Sequence, residues 1–171
     1  NDTLVADLSR HENNGTVTSA TWGNMGKYNG AFNFDGANDY INVSNSISLN
    51  STHTNLSNYT VSLWMKTTMS GAEPWSEPTI VDMRDTDTDE WVFSVYLNSN
   101  NVTSLLTGYS FDHPLGPDWQ ILNSSTVVND GTWHYISIIK NNTNFFKIYV
   151  DGLLEANGPS IYNTISDEPM T

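Results

Sequence analysis

The sequence has no cysteine, so disulfides and thiolate metal sites are excluded. It is poor in cations: Arg10, Lys27, Lys66, Arg84, Lys140 and Lys147 are the whole set, against 19 acids and a formal net charge of −13. These six are scattered and form no stripe able to neutralise phosphates. Nucleic acid is therefore excluded as a partner, and so is polybasic attachment to a membrane surface. No apolar run approaches the roughly 20 residues that span a bilayer, so no membrane insertion is expected. The chain has no initiator Met and no signal peptide, and reads as a mature piece or an excised fragment. No stretch of a dozen residues keeps helical spacing.

Neutral polar residues fill the space left by charge. Charged residues make up 15% of the chain, against about 25% in an average protein. In their place stand 22 Asn and 38 Ser plus Thr. Asn and Ser make turns and Thr suits strands, so this composition fits a turn-rich β-protein. The 171 residues suit one domain with one core, expected here to run over 1–171. Asn-x-Ser/Thr triplets begin at nine positions. Asn14, Asn50, Asn55, Asn58, Asn101, Asn123 and Asn141 are the glycosylation candidates among them, if the chain is a secreted glycoprotein rather than simply Asn- and Thr-rich.

Strand periodicity runs through the chain. In "YTVSLWMKT" (59–67), Tyr59, Val61, Leu63 and Met65 alternate with Thr60, Ser62, Trp64 and Lys66. "EWVFSVYL" (90–97) sets Trp91, Phe93 and Val95 against Val92, Ser94 and Tyr96. "WHYISIIK" (133–140) and "NFFKIYVDG" (144–152) alternate likewise and are joined by a short polar turn, which predicts a hairpin. Turn signals such as "NNG", "DGAND", "NDG" and "DG" recur at short intervals, the pattern of an all-β sandwich or barrel. Asp130, Trp133 and His134 crowd together in "DGTWH", but Trp133 and His134 must point to opposite faces of a strand and cannot share a site. Trp133 reads as a core anchor, as do Trp64 and Trp91. His134 reads as a packed or surface residue whose loss is mild.

Three blocks in order, "GKYNGAFNFDGANDYINV" (26–43), "NYTVSLWMKT" (58–67) and "DGTWHYISIIKNNTNFFKIYVDGLLEA" (130–156), resemble the laminin-G-like group of the concanavalin A-like lectin/glucanase superfamily. The resemblance implies a jelly-roll β-sandwich of two packed antiparallel sheets. It also implies recognition of carbohydrate or protein, often with a calcium ion, by a non-catalytic module of a larger secreted or cell-surface protein. The catalytic branch of the superfamily carries Glu-x-Asp-x-x-Glu on one strand. None of Glu12, Glu73, Glu77, Glu90, Glu155 and Glu168 begins that motif, so no enzyme is expected.

The acidic stretch "DMRDTDTDEW" (82–91) carries Asp85, Asp87, Asp89 and Glu90. Calcium takes several hard oxygens at about 2.3–2.6 Å, which alternating acids on a tight loop can supply. An EF-hand is excluded, because its Gly and distal Glu are missing. A calcium loop placed where pentraxin relatives hold the ion and a solvated acidic turn both remain open. Asp35 and Asp39 in "FDGANDY" read as turn-formers.

Pyranose rings stack on exposed aromatics flanked by a few fixed polar groups. Trp75, Tyr109, His113 and Trp119 stand in loop-like stretches rich in Pro and Gly and are the ligand-binding candidates, unless loop aromatics only plug the sandwich ends. The expected function is carbohydrate binding and adhesion, with a carbohydrate or surface glycoprotein as partner. A protein-contact domain of a surface assembly and a glycosidase fragment are the alternatives. Against the family pattern, "NDTLVADLS" falls in the linker after a first strand and "EPMT" where a last strand begins, so both closing strands read as missing. Open sheet edges and self-association are then expected.

Overall fold

The computed structural model describes residues 3–44, 58–72, 78–84, 91–109, 120–141 and 145–159. These form thirteen strands and no helix, in two compact units, Asn1–Thr52 and His53–Thr171.

In the first unit, β1 (Leu4–Val5), β2 (Gly15–Thr18) and β5 (Tyr40–Val43) form an antiparallel sheet in the order β1-β2-β5. The segment expected to be only a linker thus contains a short strand. It becomes one because Leu4 and Val5 find open partners in Thr16 and Gly15. Asp7 organises the connection to β2. Its carboxylate accepts from the Ser9 and Asn13 amides, each at 2.8 Å, and from the Ser9 hydroxyl at 2.7 Å. The bonds from Ser9 and Asn13 hold this carboxyl below its ordinary range. β3 (Thr21–Gly26) and β4 (Asn29–Asn33) form a separate hairpin. The Trp22 ring lies on Gly30, where an added Cβ would fall 2.0 Å from its Cζ2, and meets the Phe32 ring edge-on at 5.0 Å. Asp35 and Asp39 close the next turn as expected: the Asp39 carboxylate accepts from the Asp35 amide, and that of Asp35 from the Ala37 amide.

The second unit is a β-sandwich. One antiparallel sheet has the order β10-β9-β8-β7, built from β7 (Thr79–Arg84), β8 (Trp91–Leu97), β9 (Val102–Tyr109) and β10 (Gln120–Val127). The other has the order β13-β12-β11-β6, from β6 (Tyr59–Met65), β11 (His134–Lys140), β12 (Phe145–Val150) and β13 (Leu153–Pro159). Phe93, Val95, Leu97 and Leu105 of the first sheet pack with Ile136, Ile138, Phe146, Ile148 and Val150 of the second, and Val128 joins them. Burying each such side chain contributes about 1.5–3 kcal/mol. Tyr59 bridges the sheets, stacked on Phe93 at 5.6 Å and edge-on to Phe146 at 6.2 Å. The architecture is the all-β jelly-roll sandwich of packed antiparallel sheets that the alternation and the motifs imply.

Two tryptophans expected in the core are not there. The core face of β6 is Val61, Leu63 and Met65, so Trp64 lies on the opposite face, where its ring meets Tyr135 at 5.2 Å. Trp133, just before β11, is half-buried and outside the core cluster. Alternation pairs residues into faces but does not say which face is inner. On β11 the inner face is Ile136 and Ile138, with His134 in step with them and only 7% exposed.

Candidate functional site

Asp85, Asp87, Asp89, Glu90, Trp75, His113 and Trp119 lie outside the described residues, as do Asn50 and Asn55. The strand ends that flank them are described, and they sort the candidates. β7 ends at Arg84 and β8 begins at Trp91, and these two are register partners. Trp91 also pairs with Tyr109, the last residue of β9, and Gln120 at the start of β10 pairs with Thr107. The flanks of the acidic stretch and those of the Tyr109–Trp119 stretch therefore share one end of one sheet. Trp75 is flanked differently. Ala72 bridges to Asn98, and Pro78 accepts from the Leu97 amide at 3.1 Å, so both its flanks sit at the other end of β8.

The face of this sheet turned away from the core carries a polar row that the sequence reading did not single out. Tyr96 pairs with Ser104 and Ser104 with Asn123. The Ser104 hydroxyl donates to Asn123 Oδ1 at 2.6 Å, and Asn98 Nδ2 donates to Ser104 Oγ at 2.9 Å and to Asn123 Oδ1 at 3.3 Å. The signal was present in the alternation of Ser94, Tyr96 and Asn98 with Phe93, Val95 and Leu97. The partners, 6 and 25 residues away from Asn98, were not.

Among the other glycosylation candidates, Asn14, Asn58 and Asn123 are exposed. Asn14 Oδ1 accepts from the Asp7 amide, Asn101 Oδ1 from that of Gly71 and Asn141 Oδ1 from that of Phe145.

The "DGTWH" cluster is a frame joining two turns. β12 and β13 are joined by Asp151 (φ 51°) and Gly152 (φ 84°), both left-handed, as a tight two-residue hairpin turn requires. Asp151 Oδ1 accepts from the Tyr135 amide at 2.8 Å, and Asp151 Oδ2 meets His134 Nδ1 at 2.7 Å. On the other side of the ring, His134 Nε2 lies 3.2 Å from both Asp130 Oδ1 and Thr132 Oγ1. Hydroxyl, imidazole and carboxylate stand in the order of a hydrolase triad. However, the Thr132 hydroxyl lies 2.7 Å from Asp130 Oδ1, to which it donates, and Nε2 also faces that carboxylate. An imidazole hydrogen-bonded to carboxylates on both sides has no lone pair with which to take a proton. Burial pushes the His134 imidazole down, but the hydrogen bonds and charges of Asp151 and Asp130 outweigh it and hold the group above its ordinary range. Asp130 is lowered, chiefly by its bonds from Thr132. His134 is buried with two ion-pair partners, so its substitution removes two contacts that the sequence does not show, while Asp130 and Asp151, each nearly half exposed, keep their bonds from Thr132 and Tyr135.

Residues 34–170 match the model of a laminin-G-type family described as the Concanavalin A-like lectin/glucanases superfamily. No curated protein matches the chain. Among solved structures, the chain is similar to residues 221–444 of an S-layer domain-containing protein from Clostridium thermocellum, with 16% identity and a TM-score of 0.55, over 94% of this chain and 67% of that one. It is also similar to the binding domain of Botulinum Neurotoxin DC in complex with SialylT, with 14% identity and a TM-score of 0.50, over 92% of this chain. It spans only 33% of that toxin chain. At these identities both are likenesses of fold. With the family model covering most of its length, the chain belongs to the laminin-G-like family of the concanavalin A-like lectin/glucanase superfamily.

Proposed function

We propose that the chain is a non-catalytic carbohydrate-recognition module of a secreted or cell-surface protein, with its site at the Arg84/Trp91/Tyr109 end of the β7–β10 sheet. The observation behind this reading is the register that sets Arg84, Trp91 and Tyr109 side by side. The donors Asp85, Asp87, Asp89 and Glu90 and the stretch with Tyr109, His113 and Trp119 both begin from that end. Acids of this type suit calcium, and the aromatic stretch suits a pyranose face. The described flanks of Trp75, Ala72 and Pro78, pair at the opposite end of β8. Glycosylation of Asn14 and Asn58 accords with the same surface setting. A glycan array with and without calcium tests the reading. Calcium-dependent binding lost in Trp119→Ala is expected, and chelation should lower the Tm, less so in Asp87→Asn. No glycan bound under either condition would remove it.

A second reading, a protein-contact domain, is favoured by exposed Trp22, Met25, Tyr28 and Phe34 in the first unit. Sedimentation at rising concentration separates the two, since self-association without glycan binding supports the second.

A further inference from the structure

We propose that His134 is a proton-operated latch: as an imidazolium it ties the 129–133 turn to the β12–β13 turn, and on losing its Nε2 proton it releases the Asp130 arm while keeping the Asp151 arm. Geometry favours the charged form. Nδ1 faces Asp151 Oδ2 at 2.7 Å. Nε2 faces Asp130 Oδ1 at 3.2 Å and a Thr132 hydroxyl whose proton points at the same carboxylate. A neutral imidazole has one N–H, and a lone pair turned toward a carboxylate repels it. Only the imidazolium satisfies both arms.

The arms are unequal. Nδ1 has the shorter contact, to a carboxylate already fixed by the Tyr135 amide. The Asp130 arm is longer, while the two carboxylates are about equally exposed. The neutral ring therefore keeps its proton on Nδ1 and gives up Asp130. That turn is not idle. Gly131 N donates to Thr67 O at 3.0 Å, Asn129 Nδ2 to Met69 O at 3.2 Å, and Val128 N to Asn101 O at 3.0 Å. Releasing Asp130 loosens the turn against the chain leaving β6. Among the described residues, Asp130 and Asp151 are its ion-pair partners, and β6 presents uncharged Met65 opposite it.

The direction of the pH dependence follows from the raised folded-state value. The latch contributes fully below about pH 6.5, the unfolded-state value, and is lost as pH rises through the folded-state midpoint.

Imidazole ¹⁵N NMR from about pH 5 to about pH 10 on the full chain tests this. At pH about 6.5 both His134 nitrogens are expected to carry protons. The Gly131 and Thr132 amides should move with the His134 midpoint, while the Tyr135 and Asp151 amides keep their exchange protection through it. Asp130→Asn should lower that midpoint by about one unit or more and abolish the Gly131 and Thr132 response. A single neutral His134 tautomer at pH about 6.5 would overturn the proposal. So would Gly131 and Thr132 amides that ignore the His134 titration, or an unchanged midpoint in folded Asp130→Asn. Should that variant fail to fold, the wild-type titration decides alone.

Discussion

The sandwich of the second unit encloses a ten-residue cluster that includes Val95, Leu105, Val128 and Ile148, all with no exposure. Among the described residues of the first unit the buried apolar side chains are Val17 and Ala20, while Leu4, Leu8, Trp22, Met25, Tyr28, Phe34, Tyr40 and Val43 stand exposed. Both units are antiparallel β with strong turn chemistry, so local structure does not distinguish them. Burial does: one is held by its core, and the other by ladder hydrogen bonds and by carboxylates such as Asp7 that cap its turns. Family likeness follows the same division, since the matched region begins at residue 34 and takes in all of the sandwich but only the end of the first unit.

The contrast breaks most visibly at Ile148. Ile148→Ala should cost about 2–5 kcal/mol, because Ile148 is fully buried in the core cluster and its loss leaves a cavity there. Trp22→Ala, at a half-exposed site, should cost about 1 kcal/mol or less. Equal losses in thermal melts of the two variants would erase the distinction.

A smaller effect is expected at Glu155, which joins two irregularities. The register of β10 shifts between Asn123 and Val127, and that of β13 at Ile148/Tyr149. The Glu155 carboxylate fills the gap, accepting from the Ser125 and Thr126 amides at 2.9 Å and from the Thr126 hydroxyl. Glu155→Ala should cost about 1–3 kcal/mol. Burial raises this carboxyl, but the bonds from Thr126 and Ser125 outweigh it and leave it below its ordinary value. Its contribution is therefore present above the unfolded-state value and lost as pH falls through the folded one. An acid limb of the stability–pH curve that flattens in Glu155→Gln would confirm the assignment.

The smallest effect sharpens the picture of the first unit. Gly30→Ala should push the Trp22 indole off the hairpin, giving a red-shifted Trp emission with little change in Tm, because the ring can swing into solvent. A large Tm loss with unchanged emission would mean that the hairpin backbone, and not the ring, absorbs the strain.

Much of this was legible in advance. The strands over 59–65, 91–97, 134–140 and 145–150 and the Asp-Gly turn at 151–152 follow from period-two alternation and from residues that tolerate left-handed backbone. The placement of Trp64 and Trp133 outside the core was not legible, because two alternating faces that both carry large apolar groups look alike in one dimension.

The sequence by itself determined what depends on near neighbours: the β-class, the positions of turns and the family motifs. Tertiary structure decided what depends on distant ones. His134 meets Asp151 from 17 residues away, Asn98 meets Asn123 from 25, and Glu155 meets Thr126 from 29. Each of these contacts is set by strand register and sheet order, and a one-residue slip would turn every one of those side chains to the other face. That is why "DGTWH" and "VDG" each read as isolated turn chemistry in the chain and act together only in the folded protein.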